Sequence, residues 1–141
     1  YRPLPERTRA ALTPIEAVDL CFDWERLRDD VLAPLLRGEH ARYRRYDWPA
    51  GRLGEELAEV AAAGVVVVDG VYAARPALRG YLDLIVVVDA PRELCSARQL
   101  QRGENQPAEL ERRRAAEEWY LDHQDPRLIA DLVIDGSTIA E

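Results

Sequence analysis

Two short apolar runs in this chain end on carboxylates. Asp69 closes Val65-Val66-Val67-Val68 and is followed by Gly70, while Asp89 closes Leu84-Ile85-Val86-Val87-Val88 and is followed by Ala90-Pro91. In open α/β sheets ligands gather beyond the carboxyl ends of the strands, so an acid there can hold a magnesium ion directly or through water. A competing reading makes Asp69-Gly70 a turn that ends a strand, and Asp89 the cap of the helix that Pro91 opens. Arg98 and Arg102 stand four apart and share one helical face. They suit a clamp on transferred phosphate oxygens in a lid, and equally a solvated face paired with nearby glutamates. For Arg112, Arg113 and Arg114 the solvated face is preferred.

Other chemistries find less support. His40 and His123 have no partners at ligand spacing, and Ser96, Ser137, Cys21 and Cys95 have no nearby base, so no nucleophilic triad is indicated. Two distant cysteines suggest neither a disulfide framework nor a zinc site. The segment Glu39 to Gly51 interleaves arginine with tyrosine and tryptophan without core periodicity, and is read as a loop, either a solvated connector or a ligand-facing one.

Composition narrows the field further. A chain of 141 residues, 48% hydrophobic and 32% charged, suits one core, so a single domain over 1–141 is expected. A net charge of −7, from 19 basic and 26 acidic residues, argues against a nucleic-acid surface. Every basic residue is arginine, which removes any catalytic lysine from these residues. No signal peptide or long apolar run is evident, so a cytoplasmic protein without a membrane partner is expected. The chain opens on Tyr1 and contains no methionine, which suggests a piece of a longer product.

These residues need elements to position them. Thr13-Pro14 with Glu16 starts a short helix over 14–20. Trp24, Leu27, Val31, Leu32, Leu35 and Leu36 recur at helical spacing up to Gly38, with Asp23 as its cap. Leu53 to Ala63 reads as a helix, Val65–Asp69 and Leu84–Asp89 as buried strands, and Leu78–Tyr81 as a helical turn. A helix from Pro91 to Arg102, a polar break over 103–107, a long charged helix through Tyr120 and a strand over 131–136 complete the chain. That alternation predicts an α/β fold with a doubly wound parallel sheet and flanking helices.

Several segments carry a resemblance in their order along the chain. Phe22-Asp23-Trp24-Glu25-Arg26-Leu27 opens a helix that Leu35-Leu36-Arg37-Gly38 ends, and Tyr46-Asp47-Trp48 follows. Val66-Val67-Val68-Asp69-Gly70-Val71-Tyr72, then Val87-Val88-Asp89 with Arg98 and Arg102, then Ala130-Asp131-Leu132-Val133-Ile134 complete the series. Together they resemble the uridine kinase and phosphoribulokinase branch of the P-loop kinases. The resemblance implies a P-loop NTPase-like domain, without its N-terminal strand and loop, that uses ATP and Mg2+ to phosphorylate a nucleoside or similar small molecule.

By the same resemblance, Asp69 would help hold magnesium, with a bridging water where the family usually has glutamate. Arg98 and Arg102 would contact the triphosphate from a lid over about 98–114. Asp23 would accept hydrogen bonds from acceptor hydroxyls, with Tyr1, Tyr46 and Arg52 lining that pocket, in a helical acceptor-binding region over about 14–52. The phosphate loop, its lysine and the aspartate that activates the acceptor lie, in the family, upstream of the position matching Tyr1. None occurs in these 141 residues, so the chain alone is not expected to be an efficient kinase. A non-catalytic nucleoside- or nucleotide-binding module is the alternative. Empty sheet positions would expose apolar edges, so self-association is also expected.

Overall fold

The computed structural model describes residues 1–102 and 107–138. Helix α1 (Glu6–Ala11) starts after Pro5 in a segment that the sequence left without periodicity. Helix α2 (Pro14–Leu20) follows at once, and its start is the predicted one. Thr13 Oγ1 accepts from the Glu16 amide while the Glu16 carboxylate accepts from the Thr13 amide at 2.9 Å, a reciprocal capping box with Pro14 at the first helical position.

The helical run predicted up to Gly38 forms with an irregular middle. Helix α3 (Trp24–Arg26) widens into a π segment (Leu27–Leu32) and returns to α4 (Ala33–Leu36). The widening lies just ahead of Pro34, whose ring would crowd the Asp30 carbonyl in a regular helix. Asp23 stands at the N-cap position, yet its side chain makes no cap bond. That corrects the capping role read from the sequence and leaves the carboxylate available elsewhere.

The largest departure lies between residues 41 and 60. In place of a loop and a helix, β1 (Ala41–Asp47) and β2 (Arg52–Val60) form an antiparallel hairpin, paired from Ala41↔Val60 to Asp47↔Arg52 with a bulge between Arg44 and Tyr46. Gly51 at φ 63° closes the turn, a conformation that favours glycine. Leu53, Leu57 and Val60 match helical spacing, but cross-strand pairing overrides that local signal. The acceptor-binding region expected to be helical over 14–52 is therefore helical only in its first part.

At the C-terminal end, β3 (Val86–Asp89) and β4 (Leu132–Asp135) pair in parallel and in register, Val86 with Leu132 and Asp89 with Asp135, but the Leu84–Asp89 run is not the buried strand expected: Val86 is 44% and Val88 58% exposed. Between them lie α5 (Arg92–Arg102) and α6 (Pro107–Gln124). The polar break expected over 103–107, and with it the centre of the expected lid, falls largely outside the described residues. Val65–Asp69 joins no ladder among the described residues, with Val65 90% and Val67 81% exposed. Four β-branched residues carry strand propensity, but propensity becomes a strand only against a neighbour. The chain is thus α/β with two-stranded sheets, and the doubly wound parallel sheet does not assemble among the described residues.

The core sits between α2 and α6. Val18, Tyr72, Ala116 and Tyr120 are buried together, with Ala17, Phe22 and Trp119 packed against them. The Tyr72 ring meets Phe22 edge-on at 4.5 Å and Tyr120 at 5.0 Å, so one tyrosine joins the helical core to the residues beside Asp23. Among the described residues no helix is long and apolar enough to cross a membrane.

Candidate active site

A cleft of about 730 Å³ opens between α3, the β1 strand and the 66–73 segment. Its aromatic wall is continuous. The Tyr1 ring lies 4.8 Å from Phe22, 5.8 Å from Tyr46 and 4.4 Å from Trp48, and Tyr46 meets Trp48 edge-on at 5.0 Å. The Arg2 amide donates to the Cys21 carbonyl at 3.1 Å, which sets Tyr1 beside Phe22. Burial pushes the Tyr1 phenol above its ordinary pKa, so this hydroxyl stays protonated at neutral pH.

Asp23 is the polar centre of the cleft. Arg26 Nε donates to its Oδ2 at 3.1 Å, and Arg2 Nε stands 3.5 Å from its Oδ1. Only 17% of the Asp23 side chain is exposed, so the pair is better screened from water than a surface ion pair. Arg26 also donates through Nη1 to the Arg44 carbonyl at 2.9 Å, which ties the end of α3 to β1. A carboxylate offers about four lone-pair directions, and two guanidinium contacts leave room for a hydroxyl donor.

The candidate residues divide between this cleft and other places. Tyr1, Asp23, Tyr46 and Asp69 line one space. Asp69 is exposed and immediately precedes a turn in which the Ala73 amide donates to the Gly70 carbonyl at 3.0 Å, with Gly70 at φ 154°. Arg52 lies outside that lining, at the hairpin turn, 3.9 Å from Glu55. Arg98 and Arg102 are on α5, also outside it. Arg98 Nη1 donates to the Gly136 carbonyl at 2.9 Å, and Arg102 is the exposed last residue of the helix. Asp89 faces Arg127 Nη1 at 3.6 Å.

Phe22, Arg2 and Arg26 carry no site signal in the order of motifs, and Trp48 belongs there only to a loop. The Asp23-x-x-Arg26 spacing, three apart on a helix, was the available signal. Cys21 also lines the cleft, but burial raises its thiol pKa against the pull of Arg9 and Arg113, so thiolate chemistry is disfavoured there. Among the described residues no three His, Cys, Asp or Glu side chains gather as a metal cluster.

The arrangement can therefore seat a small molecule with a flat carbon face on the aromatic wall and present its hydroxyls to Asp23, with the Asp69 carboxylate lining the same space. The model of the Phosphoribulokinase / Uridine kinase family matches residues 7–109. No curated protein matches the chain.

Proposed function

Because the chain belongs to the phosphoribulokinase / uridine kinase family, we propose that its cleft is the acceptor half of a kinase site, which orients a hydroxyl of a nucleoside or similar small molecule for phosphoryl transfer. The observation that carries this reading is the convergence of Tyr1, Asp23 and Tyr46, drawn from three separate segments, around one cleft.

In this reading Asp23 accepts hydrogen bonds from acceptor hydroxyls, with Arg2 and Arg26 fixing its orientation. Tyr1, Tyr46 and Trp48 pack on the acceptor and exclude water from one side. Such positioning is the larger part of phosphoryl-transfer catalysis, because the reaction asks for little covalent chemistry from the protein.

The family generally uses ATP and Mg2+. Mg2+ keeps several waters and takes one or two carboxylates with substrate phosphates, so an exposed Asp69 on the cleft wall fits that pattern. When bound, the ion supplies neutralisation of charge on the phosphate oxygens. The 141 residues contain no lysine and no GxxxxGK[ST] loop; by resemblance to the family Arg98 and Arg102 on α5 would contact the phosphates, from outside the cleft lining. Arg98 also donates through Nη1 to the Gly136 carbonyl at 2.9 Å, which anchors its guanidinium beside the end of β4.

The test is a panel of nucleosides and small polyols titrated into the protein that carries these residues, followed by tryptophan fluorescence, with transfer from radiolabelled ATP and Mg2+ measured in parallel. A saturable signal that Trp48→Phe alters, together with a labelled product, supports the reading. A panel that gives neither binding nor product overturns it. Turnover by Asp69→Asn that stays normal at limiting Mg2+ removes the role given to Asp69.

A further inference from the structure

Arg75 is buried to 5% exposure and lies outside the cleft lining. Its Nη1 donates to the Val18 carbonyl at 3.2 Å, its Nη2 donates to Asp19, and its guanidinium covers the Trp24 ring 4.7 Å from the centroid. Trp24 follows Asp23 and begins α3, a helix of three residues whose entry no capping side chain fixes. Arg26 and Arg2 hold the Asp23 carboxylate itself, and Trp24, with Arg75 on its ring and the Arg28 guanidinium 5.4 Å from the same centroid, sets the backbone beside it.

The other side of Arg75 belongs to the Asp69 turn. Its amide donates to the Tyr72 carbonyl at 3.3 Å, and the preceding turn runs from Gly70 to Ala73. One side chain thus joins α2, the first residue after Asp23, and the segment that presents Asp69.

A buried arginine is a costly way to make such a link. Its Nε finds no hydrogen-bond partner, and apolar residues of similar volume often replace buried ion pairs with no loss of stability. What an apolar replacement cannot reproduce is direction: two hydrogen bonds and a flat cation over an indole fix the tryptophan in both angle and position.

We propose that Arg75 is a positioning residue: through Trp24 it sets the orientation of Asp23 relative to Asp69, and so the alignment of the acceptor hydroxyl. The inference rests on the reading of the cleft as the acceptor site. It concerns geometry rather than contact, since misplacement of about 1 Å can cost up to about a hundredfold in rate.

The experiment compares Arg75→Met, Arg75→Lys, Asp23→Asn and the double variant Arg75→Met/Asp23→Asn, with acceptor and ATP kinetics and thermal midpoints for each. Arg75→Met leaves the Val18 carbonyl and Asp19 without their donor and is expected to lower the midpoint, while in the folded variant kcat/KM for the acceptor falls about tenfold or more and KM for ATP holds. The double variant is expected to be no worse than Asp23→Asn alone, because the two changes act through one group. Arg75→Lys, which keeps the charge but loses the planar fork, is expected between parent and Arg75→Met.

Parental acceptor kinetics in Arg75→Met, or losses that simply add in the double variant, overturn the proposal and leave the acceptor site standing. If Asp23→Asn itself leaves acceptor kinetics unchanged, the site reading falls and this inference falls with it. Should Arg75→Met not fold, Arg75→Lys decides: a folded Lys variant with parental acceptor kinetics refutes the positioning role.

Discussion

Replacing Trp48 with alanine separates binding from folding. The Trp48 side chain is 54% exposed and sits at the hairpin turn, where its structural partners are the rings of Tyr1 at 4.4 Å and Tyr46 at 5.0 Å. Each edge-on pair contributes about 0.5–1.5 kcal/mol beyond area burial, at the low end where solvent reaches the rings. The expected loss of stability is therefore about 1 kcal/mol, which in a chain of this size lowers the midpoint by about 3 °C. Binding should suffer more. A ring stacked on an aromatic side chain is worth about 1–3 kcal/mol, so acceptor affinity should fall by between about fivefold and about a hundredfold. Isothermal titration with the best acceptor of the panel, beside a thermal melt, measures both. An unchanged Kd with a midpoint lowered by more than about 10 °C would refute the reasoning, since Trp48 would then be structural and no part of the cleft wall.

Three further outcomes follow from named contacts. Burial raises the Glu117 carboxyl above its ordinary 4.5 despite Arg113, Arg114 and Arg92, so the folded protein binds that proton more tightly than the unfolded chain and loses stability as pH rises above about 4.5; Glu117→Gln should therefore gain midpoint over the parent toward pH 7 and match it near pH 4, a difference that melts across pH read directly. A Cβ at Gly136 would lie 2.9 Å from Val88 Cγ1 and 3.2 Å from the Asp89 carbonyl oxygen, so Gly136→Ala should cost about 1–3 kcal/mol in urea unfolding, and parental stability would show that the β3–β4 junction yields freely. Val65 and Val67 are almost bare, so the chain should self-associate at micromolar concentration and Val65→Lys/Val67→Lys should reduce it; light scattering that finds a monomer in the parent would contradict this.

Where local chemistry decides the structure, the sequence was readable. The Thr13–Glu16 capping box, the Pro91–Arg102 helix and the two runs that became β3 and β4 each announce themselves within a few residues. The 41–60 hairpin did not, because Leu53, Leu57 and Val60 satisfy a helical period and only pairing with Ala41 to Asp47 makes them a strand. Val65–Asp69 failed in the opposite sense, with strong propensity and no partner among the described residues. The site shows the same division. Asp23, Tyr1 and Tyr46 could be named from an ordered set of motifs, whereas Arg26, which ties Asp23 to β1, and Arg75, which anchors the residue beside it, depend on contacts across 18 to 57 positions of chain. Such contacts leave no periodic trace.

The most direct test of the central claim is steady-state phosphoryl transfer by Asp23→Asn in the protein that carries these residues. Loss of a charged acceptor of the substrate hydroxyl is worth about 1.5–3 kcal/mol. The account predicts that kcat/KM for the acceptor falls by between about tenfold and about a hundredfold while KM for ATP stays within about twofold. Acceptor kinetics equal to the parent's, in a folded variant, would contradict it and place the acceptor elsewhere.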